Sequence, residues 1–168
     1  MGPAFLPAEG TVDTKDNGVP GLKIRWRRLP HSELAGSTYF VTFCLMEEEF
    51  SAEEIQLVLG HIKDGDPDYY DLYAATVLPD HVHMILQPRD GMSLYRVTKG
   101  VKGVSAKLIN DRRGRRGALW QDESYDRIIR DDKEMEEKIA YIFTNAIRLG
   151  LSIEGWDYPG LYLRGRGR

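Results

Sequence analysis

Leu78-Pro79-Asp80-His81-Val82-His83-Met84-Ile85-Leu86 is the stretch that decides how this chain folds. Successive side chains on a β-strand point to opposite faces, so His81 and His83 share one face. Val82, Met84 and Leu86 then look the other way, into a core. Two neutral imidazoles side by side on a strand are a ready pair of metal ligands. Two surface or core histidines that merely alternate would read the same, and the pair alone does not separate these possibilities.

Working outward, Pro79-Asp80 is a tight connection, and Tyr69 to Leu78 reads as the strand that pairs with His81 to Gln87 in a hairpin. Upstream, Ser37 to Met46 is β-branched and aromatic and reads as a buried strand. Between these strands, Ser51 is an N-cap with Glu54 completing a capping box. Ile55, Leu57-Val58-Leu59 and Ile62 suit a helix to about Lys63, and Asp64-Gly65-Asp66-Pro67 ends it. Downstream, Met92 to Asn110 is a helix with Leu94, Val97, Val101, Val104 and Leu108 as its apolar stripe. Gly100 and Gly103 each cost it about 1 kcal/mol relative to alanine, marking a close backbone approach or a weak middle. Arg112 to Gly117 reads as a flexible basic loop, and Leu119-Trp120 with Tyr125 to Ile129 as a short last strand region. A final helix starts near Asp131-Asp132, carries Met135, Ile139, Ile142, Ala146 and Leu149 on one stripe, and stops at Gly150. Trp156 to Tyr162 is a turn-rich, aromatic closing segment.

At 168 residues the chain fits one domain with a substantial core. Residues 1–22, rich in Gly and Pro without periodicity, read as a flexible leader, 23–163 as the domain, and 164–168 as a basic tail. No apolar run is long enough to span a bilayer, no signal peptide is apparent, and the single cysteine, Cys44, cannot form an internal disulfide. A reducing, cytoplasmic setting without membrane partners is the expectation. Net charge is −3, but it is segregated. Arg96, Lys99, Lys102, Lys107, Arg112, Arg113, Arg115 and Arg116 are opposed only by Asp111. Further basic groups are Lys23, Arg25, Arg27 and Arg28, and Arg164, Arg166 and Arg168. Acids collect at 47–49, 53–54 and 131–137. Such segregation suits a polyanion on one side, or equally a solvated loop with charged flanks. Trp26, among basic residues, can stack on a base or anchor the chain.

On the last helix Tyr141 and Asn145 are one turn apart and share a face. They lie roughly 80–120° around from the centre of the apolar stripe, on its flank. A phenol and an amide oxygen presented together, opposite two strand histidines, suggest a nucleophile and a third ligand. A flank tyrosine bonded to water beside a surface asparagine is the plainer alternative.

Val77-Leu78-Pro79-Asp80-His81-Val82-His83, Leu119-Trp120-Gln121, Tyr125-Asp126-Arg127-Ile128-Ile129-Arg130-Asp131, Tyr141-Ile142, Asn145 and Arg148-Leu149-Gly150-Leu151 form an ordered series. It resembles the HUH single-tyrosine transposases, and within them the REP-associated tyrosine transposases, from about residue 25 to 162. The chain departs from the family pattern at Ala146, where a proline usually follows the asparagine. Alanine favours helix continuity and does not remove a ligand. The resemblance implies an α+β, ferredoxin-like antiparallel sheet with helices on one face, plus a C-terminal tyrosine-bearing helix. The strand-helix-strand-strand-helix-strand order agrees independently.

The resemblance also implies metal-dependent cleavage and transfer of single-stranded DNA beside a hairpin, by a monomer or homodimer. His81, His83 and Asn145 would hold a divalent cation, Mg²⁺ or Mn²⁺, and Tyr141 would attack the phosphate to give a 5′-phosphotyrosine. Trp120 and Arg127 join the basic run from Arg96 to Arg116 as expected DNA contacts. Two rivals are a DNA-binding module that no longer cuts and a metalloprotein acting on another phosphodiester. The complete histidine, tyrosine and asparagine set weighs against the first, and the basic helix and loop against the second.

Overall fold

A computed structural model describes residues 23–26 and 30–165; the leader expected over 1–22, Arg27, Arg28 and the end of the basic tail lie outside the described residues. A short hairpin, β1 (Lys23–Trp26) and β2 (Pro30–Glu33), comes first. Then follow β3 (Tyr39–Leu45), α1 (Ala52–Asp64), β4 (Tyr70–Val77), β5 (His81–Pro88), α2 (Leu94–Arg113) and β6 (Trp120–Ile128). This is the expected β-α-β-β-α-β succession. α3 (Asp132–Arg148), a short 3-10 turn at Gly155–Asp157 and β7 (Leu161–Leu163) complete the chain. The sheet is antiparallel in the order β6-β3-β5-β4-β7, an α+β, ferredoxin-like arrangement with one strand added at the β4 edge. β7 is three residues long and sits inside the turn-rich closing segment, which hid it from periodicity.

Strand alternation sorts the two faces. Tyr39, Val41, Phe43 and Leu45 on β3 join Val82, Met84 and Leu86 on β5 in a core closed by α1 and α2. Each large aliphatic or aromatic side chain buried there is worth roughly 1.5–3 kcal/mol. On the opposite face Phe40, Ala74 and Ile85 pack against Ile142 of α3, with Met135, Ile139 and Tyr141 around them. α1 and α2 therefore share one face, and α3 covers the other, the one that carries the histidines.

The helix ends follow their side chains. Ser51 and Glu54 form the complete capping box, and Ser93 and Asp131 accept from the backbone of Arg96 and Glu134. At the end of α3, Gly150 turns left-handed (φ 70°), its N–H donating to Ile147 O and that of Leu151 to Ala146 O. This is a Schellman closure, which a residue without Cβ makes without strain.

Two expectations need correction. The buried line of α2 runs Leu94, Val97, Val101, Ser105, Ile109, leaving Val104 and Leu108 exposed. Ser105 is tolerated inside because its hydroxyl donates to Val101 O (2.6 Å) and accepts from the Trp120 indole (3.0 Å). The segment from Arg112 is also not simply a flexible loop. α2 continues through Arg113, held by its guanidinium on Glu54 (2.7 and 2.8 Å), Glu48 (2.9 Å) and Glu49 O (2.9 Å), and ends at left-handed Gly114.

Candidate active site

β5 places His81 and His83 on the α3 face. In register, Thr42 and Thr76 flank His83, Tyr125 lies beyond Thr42, and Cys44 is opposite His81. His83 is only 2% exposed. Its ring stacks on Phe40, with centroids 5.3 Å apart, and meets the edges of His81 at 4.8 Å and Tyr141 at 5.2 Å. One ring nitrogen is fixed: Nδ1 lies 2.6 Å from Thr42 Oγ1. The other, Nε2, is buried with no partner among the described residues. Burial first, then the charges of His81 and Lys138, pushes the imidazole pKa down to about 3. His83 is therefore neutral, the state in which imidazole binds metals.

His81 is held in the same way. Its Nδ1 is 2.5 Å from Asp80 Oδ1, and an N–H donating to that carboxylate fixes the orientation of the ring. Asp80 is supplied by the tight β4–β5 connection itself, where Leu78 N–H donates to His81 O.

α3 brings the remaining groups. Asn145 is buried, 6% exposed, and its amide nitrogen has no partner among the described residues. An amide can offer either nitrogen or oxygen, so the group is available as a donor or a ligand. Tyr141, one turn earlier, is half-buried and meets Phe40 edge-on at 6.0 Å. Two cations bracket its ring: Lys138 Nζ 6.0 Å and the Arg148 guanidinium 5.9 Å from the centroid. Lys138 also lies 4.8 Å over Phe40.

Thr42, Asp80, His81, His83, Tyr141 and Asn145 line one cavity of about 390 Å³, together with Arg148, Gln121, Glu123, Ser124 and Tyr125. A larger groove of about 590 Å³ lies between α2 and β6 and contains neither histidine nor Tyr141. The smaller cavity is the candidate site, because the unpartnered His83 and Asn145 groups belong to it. Among the described residues no three His, Cys, Asp or Glu side chains cluster closely enough to hold an ion. Two histidines with an amide oxygen are thus the donor set available, and the buried, unpartnered His83 Nε2 fits a cation.

His81, His83, Tyr141 and Asn145 are therefore brought together as expected from the sequence. The expected DNA contacts are not. α2 covers the opposite face of the sheet from the histidines. Arg96, Lys99, Lys107, Arg112 and Arg116 are exposed there, Lys107 paired with Asp111 (2.7 Å). Lys102 is bound to Gln121 O (2.7 Å), Asp122 O and Ser124 Oγ, fastening α2 to β6. Arg113 is the buried pair described above, and Arg115 bonds Asn110 (3.0 Å) and Glu48. Trp120, expected as a DNA contact, is instead 5% exposed, with Phe43 at 4.7 Å and Phe50 at 5.5 Å edge-on to it. Arg127 is engaged with Glu134.

Thr42, Asp80, Lys138 and Arg148 are the groups that sequence reasoning passed over. Arg148 follows Asn145 by three residues and Tyr141 by seven, and Lys138 precedes Tyr141 by three, so helical spacing carried a signal. Thr42 carried none, since its partner is set by cross-strand register.

Residues 47–145, more than half of the chain, match the family model described as "Transposase IS200 like". A Haemophilus influenzae protein assigned to the REP-associated tyrosine transposases is 22% identical over 142 residues, covering 76% of this chain and 81% of that protein. Among solved structures, a REP-associated tyrosine transposase bound to a REP hairpin superimposes with a TM-score of 0.64 at 22% identity, covering 82% of this chain and 81% of that one.

Proposed function

This chain belongs to the IS200-like transposase family, and we propose that it nicks and rejoins single-stranded DNA beside a hairpin through a 5′-phosphotyrosine on Tyr141. The observation that carries this reading is the convergence on one cavity of Tyr141 with His83 Nε2 and the Asn145 side-chain amide, whose nitrogens are buried without a partner among the described residues.

His81, His83 and Asn145 would hold a divalent cation, Mg²⁺ or Mn²⁺. When bound, it would offset charge that grows on the phosphate oxygens. The protein's own residues do the rest. Thr42 and Asp80 hold the two histidine rings through their Nδ1 atoms. Phe40 and His83 hold the phenol ring edge-on at the wall of the cavity. The Tyr141 oxygen forms a bond to phosphorus, the P–O3′ bond breaks, and the phenolic proton ends on the 3′-oxygen by way of solvent. One phosphodiester replaces another of similar energy, so reversal rejoins the strand without a nucleotide cofactor. The solved relative is bound to a REP hairpin, which supports a hairpin with a single-stranded flank as substrate here.

The test is a denaturing gel with a 3′-labelled hairpin substrate and Mn²⁺. A covalent adduct carrying the label is expected, mapping to Tyr141 and absent in Tyr141→Phe. An adduct that survives this substitution, or maps to Tyr125 in the same cavity, overturns the assignment. Tight hairpin binding with no adduct under any metal would instead describe a module that binds without cutting.

A further inference from the structure

We propose that Arg148 is the phosphate clamp of this site, gripping the non-bridging oxygens of the phosphate that Tyr141 attacks. This deepens the reading above and rests on it for the identity of the reacting phosphate.

A cleft that accepts a phosphodiester has to meet its charge with a cation on the protein. The cavity wall includes two carboxylates, Asp80 and Glu123, and among the described residues Arg148 is the one lysine or arginine on it. The basic run of α2 cannot serve, because it lies across the sheet. Arg148 stands three residues after Asn145 and seven after Tyr141, hence on the same side of α3 as both. Its guanidinium is 5.9 Å from the Tyr141 ring centroid, within reach of anything bonded to the phenol oxygen. Among the described residues no carboxylate pairs with it, in contrast to Arg113, Arg127 and Arg164, whose guanidinium groups are occupied. Its exposed side chain keeps the fork available for bidentate binding of phosphate oxygens. A last-turn arginine also favours the helix dipole, and that ordinary role would leave Arg148 without any effect on DNA.

Lys138 has a different place. It brackets the Tyr141 ring from the N-terminal side and lies over Phe40, and it is not part of the cavity wall. A substrate oxygen in the cavity meets Arg148.

Two measurements on Arg148→Gln and Arg148→Lys test the assignment, with melting temperature checked for each. The first is the salt dependence of binding to a hairpin oligonucleotide with a single-stranded flank, read without metal so that nothing is cut. The log–log slope should fall by about 0.7 in Arg148→Gln, the equivalent of one single-strand phosphate, and recover in Arg148→Lys. The second is the single-turnover rate of Tyr141 adduct formation with Mn²⁺. It should fall about 100-fold or more in Arg148→Gln, with Arg148→Lys in between, as for loss of a group that meets charge in the transition state. An unchanged slope together with a rate within threefold of the parent overturns the clamp while leaving the nuclease reading intact. A parent that makes no adduct, yet loses the slope increment in Arg148→Gln, overturns the nuclease reading and keeps Arg148 as a phosphate contact.

Discussion

His83 makes the fold acid-sensitive in a window that few other groups share. Burial, reinforced by His81 and Lys138, holds its imidazole at about 3, while in an unfolded chain the same side chain titrates near 6.5. Below pH 6.5 the unfolded chain takes up a proton that the folded protein refuses. Its contribution to stability is fully present above pH 6.5 and is lost as pH falls toward the folded value. The loss is about 1.4 kcal/mol per pH unit, hence about 2 kcal/mol between pH 6.5 and 5. That figure is set by the unfolded value alone so long as the folded one lies below 5. Carboxyls enter later. Burial raises Glu134, but hydrogen bonds from Arg127 and Arg130 overcome it and hold it at about 2, so its contribution starts to fade as pH falls through the usual glutamate value of about 4.3 and is lost toward about 2. His61, lowered by burial, adds a loss of the same sign in parent and variant alike. Urea unfolding at pH 7, 6 and 5 in metal-free buffer is the assay, on the parent and His83→Gln. The variant starts lower, by roughly 1–3 kcal/mol, because the Thr42 hydrogen bond is broken. Its further loss between pH 7 and 5 should be smaller than the parent's by about 2 kcal/mol. Parallel stability–pH curves would show that His83 titrates normally in the folded protein, and the argument for a desolvated, ligand-ready imidazole would fail.

Trp120→Phe should lower stability by about 1–3 kcal/mol through poorer packing and the missing Ser105 hydrogen bond, a drop of several degrees in melting temperature. DNA affinity of the folded protein should stay at the parental level, and the reverse pattern would return Trp120 to the DNA surface. Arg113→Ala leaves the Glu54 carboxylate, 6% exposed, without its guanidinium, and should cost about 3–5 kcal/mol in chemical denaturation. A change below about 0.5 kcal/mol, the scatter of ordinary surface substitutions, would mean that the pair carries no weight. Arg112→Gln combined with Arg116→Gln should leave the melting temperature unchanged and reduce the salt slope of DNA binding by about 0.7 for each phosphate that these side chains neutralise. Identical slopes would show that this end of α2 does not touch DNA.

What the sequence revealed and what it hid divide along one physical line. Patterns confined to a single element were legible. The alternation from His81 to Leu86, the Ser51–Glu54 box, the stripe of α3 and its Gly150 stop each follow from local geometry, and each is present save that Leu149, expected at the end of the stripe, is 40% exposed. Several features that need two elements were not. Thr42 reaches His83 only because β3 pairs with β5 in one register, and a shift of one residue would turn its hydroxyl to the other face. Trp120 was expected as a DNA contact; in space its ring packs edge-on with Phe43 and Phe50. Charge is misread for the same reason. Arg113 and Lys102 count toward a basic run, yet one is anchored on α1 and the other on β6. Meanwhile the cation that lines the candidate cavity, Arg148, stands outside any run. Lys99 lines the groove between α2 and β6, Tyr141 lines the cavity under α3, and the residues common to both are Gln121, Glu123 and Ser124 of β6. A DNA strand that touches Lys99 and Tyr141 together therefore has to cross β6, and the three side chains that meet it there include a carboxylate. The run of cations on α2 cannot by itself carry the strand to the tyrosine; the last step depends on what α3 presents.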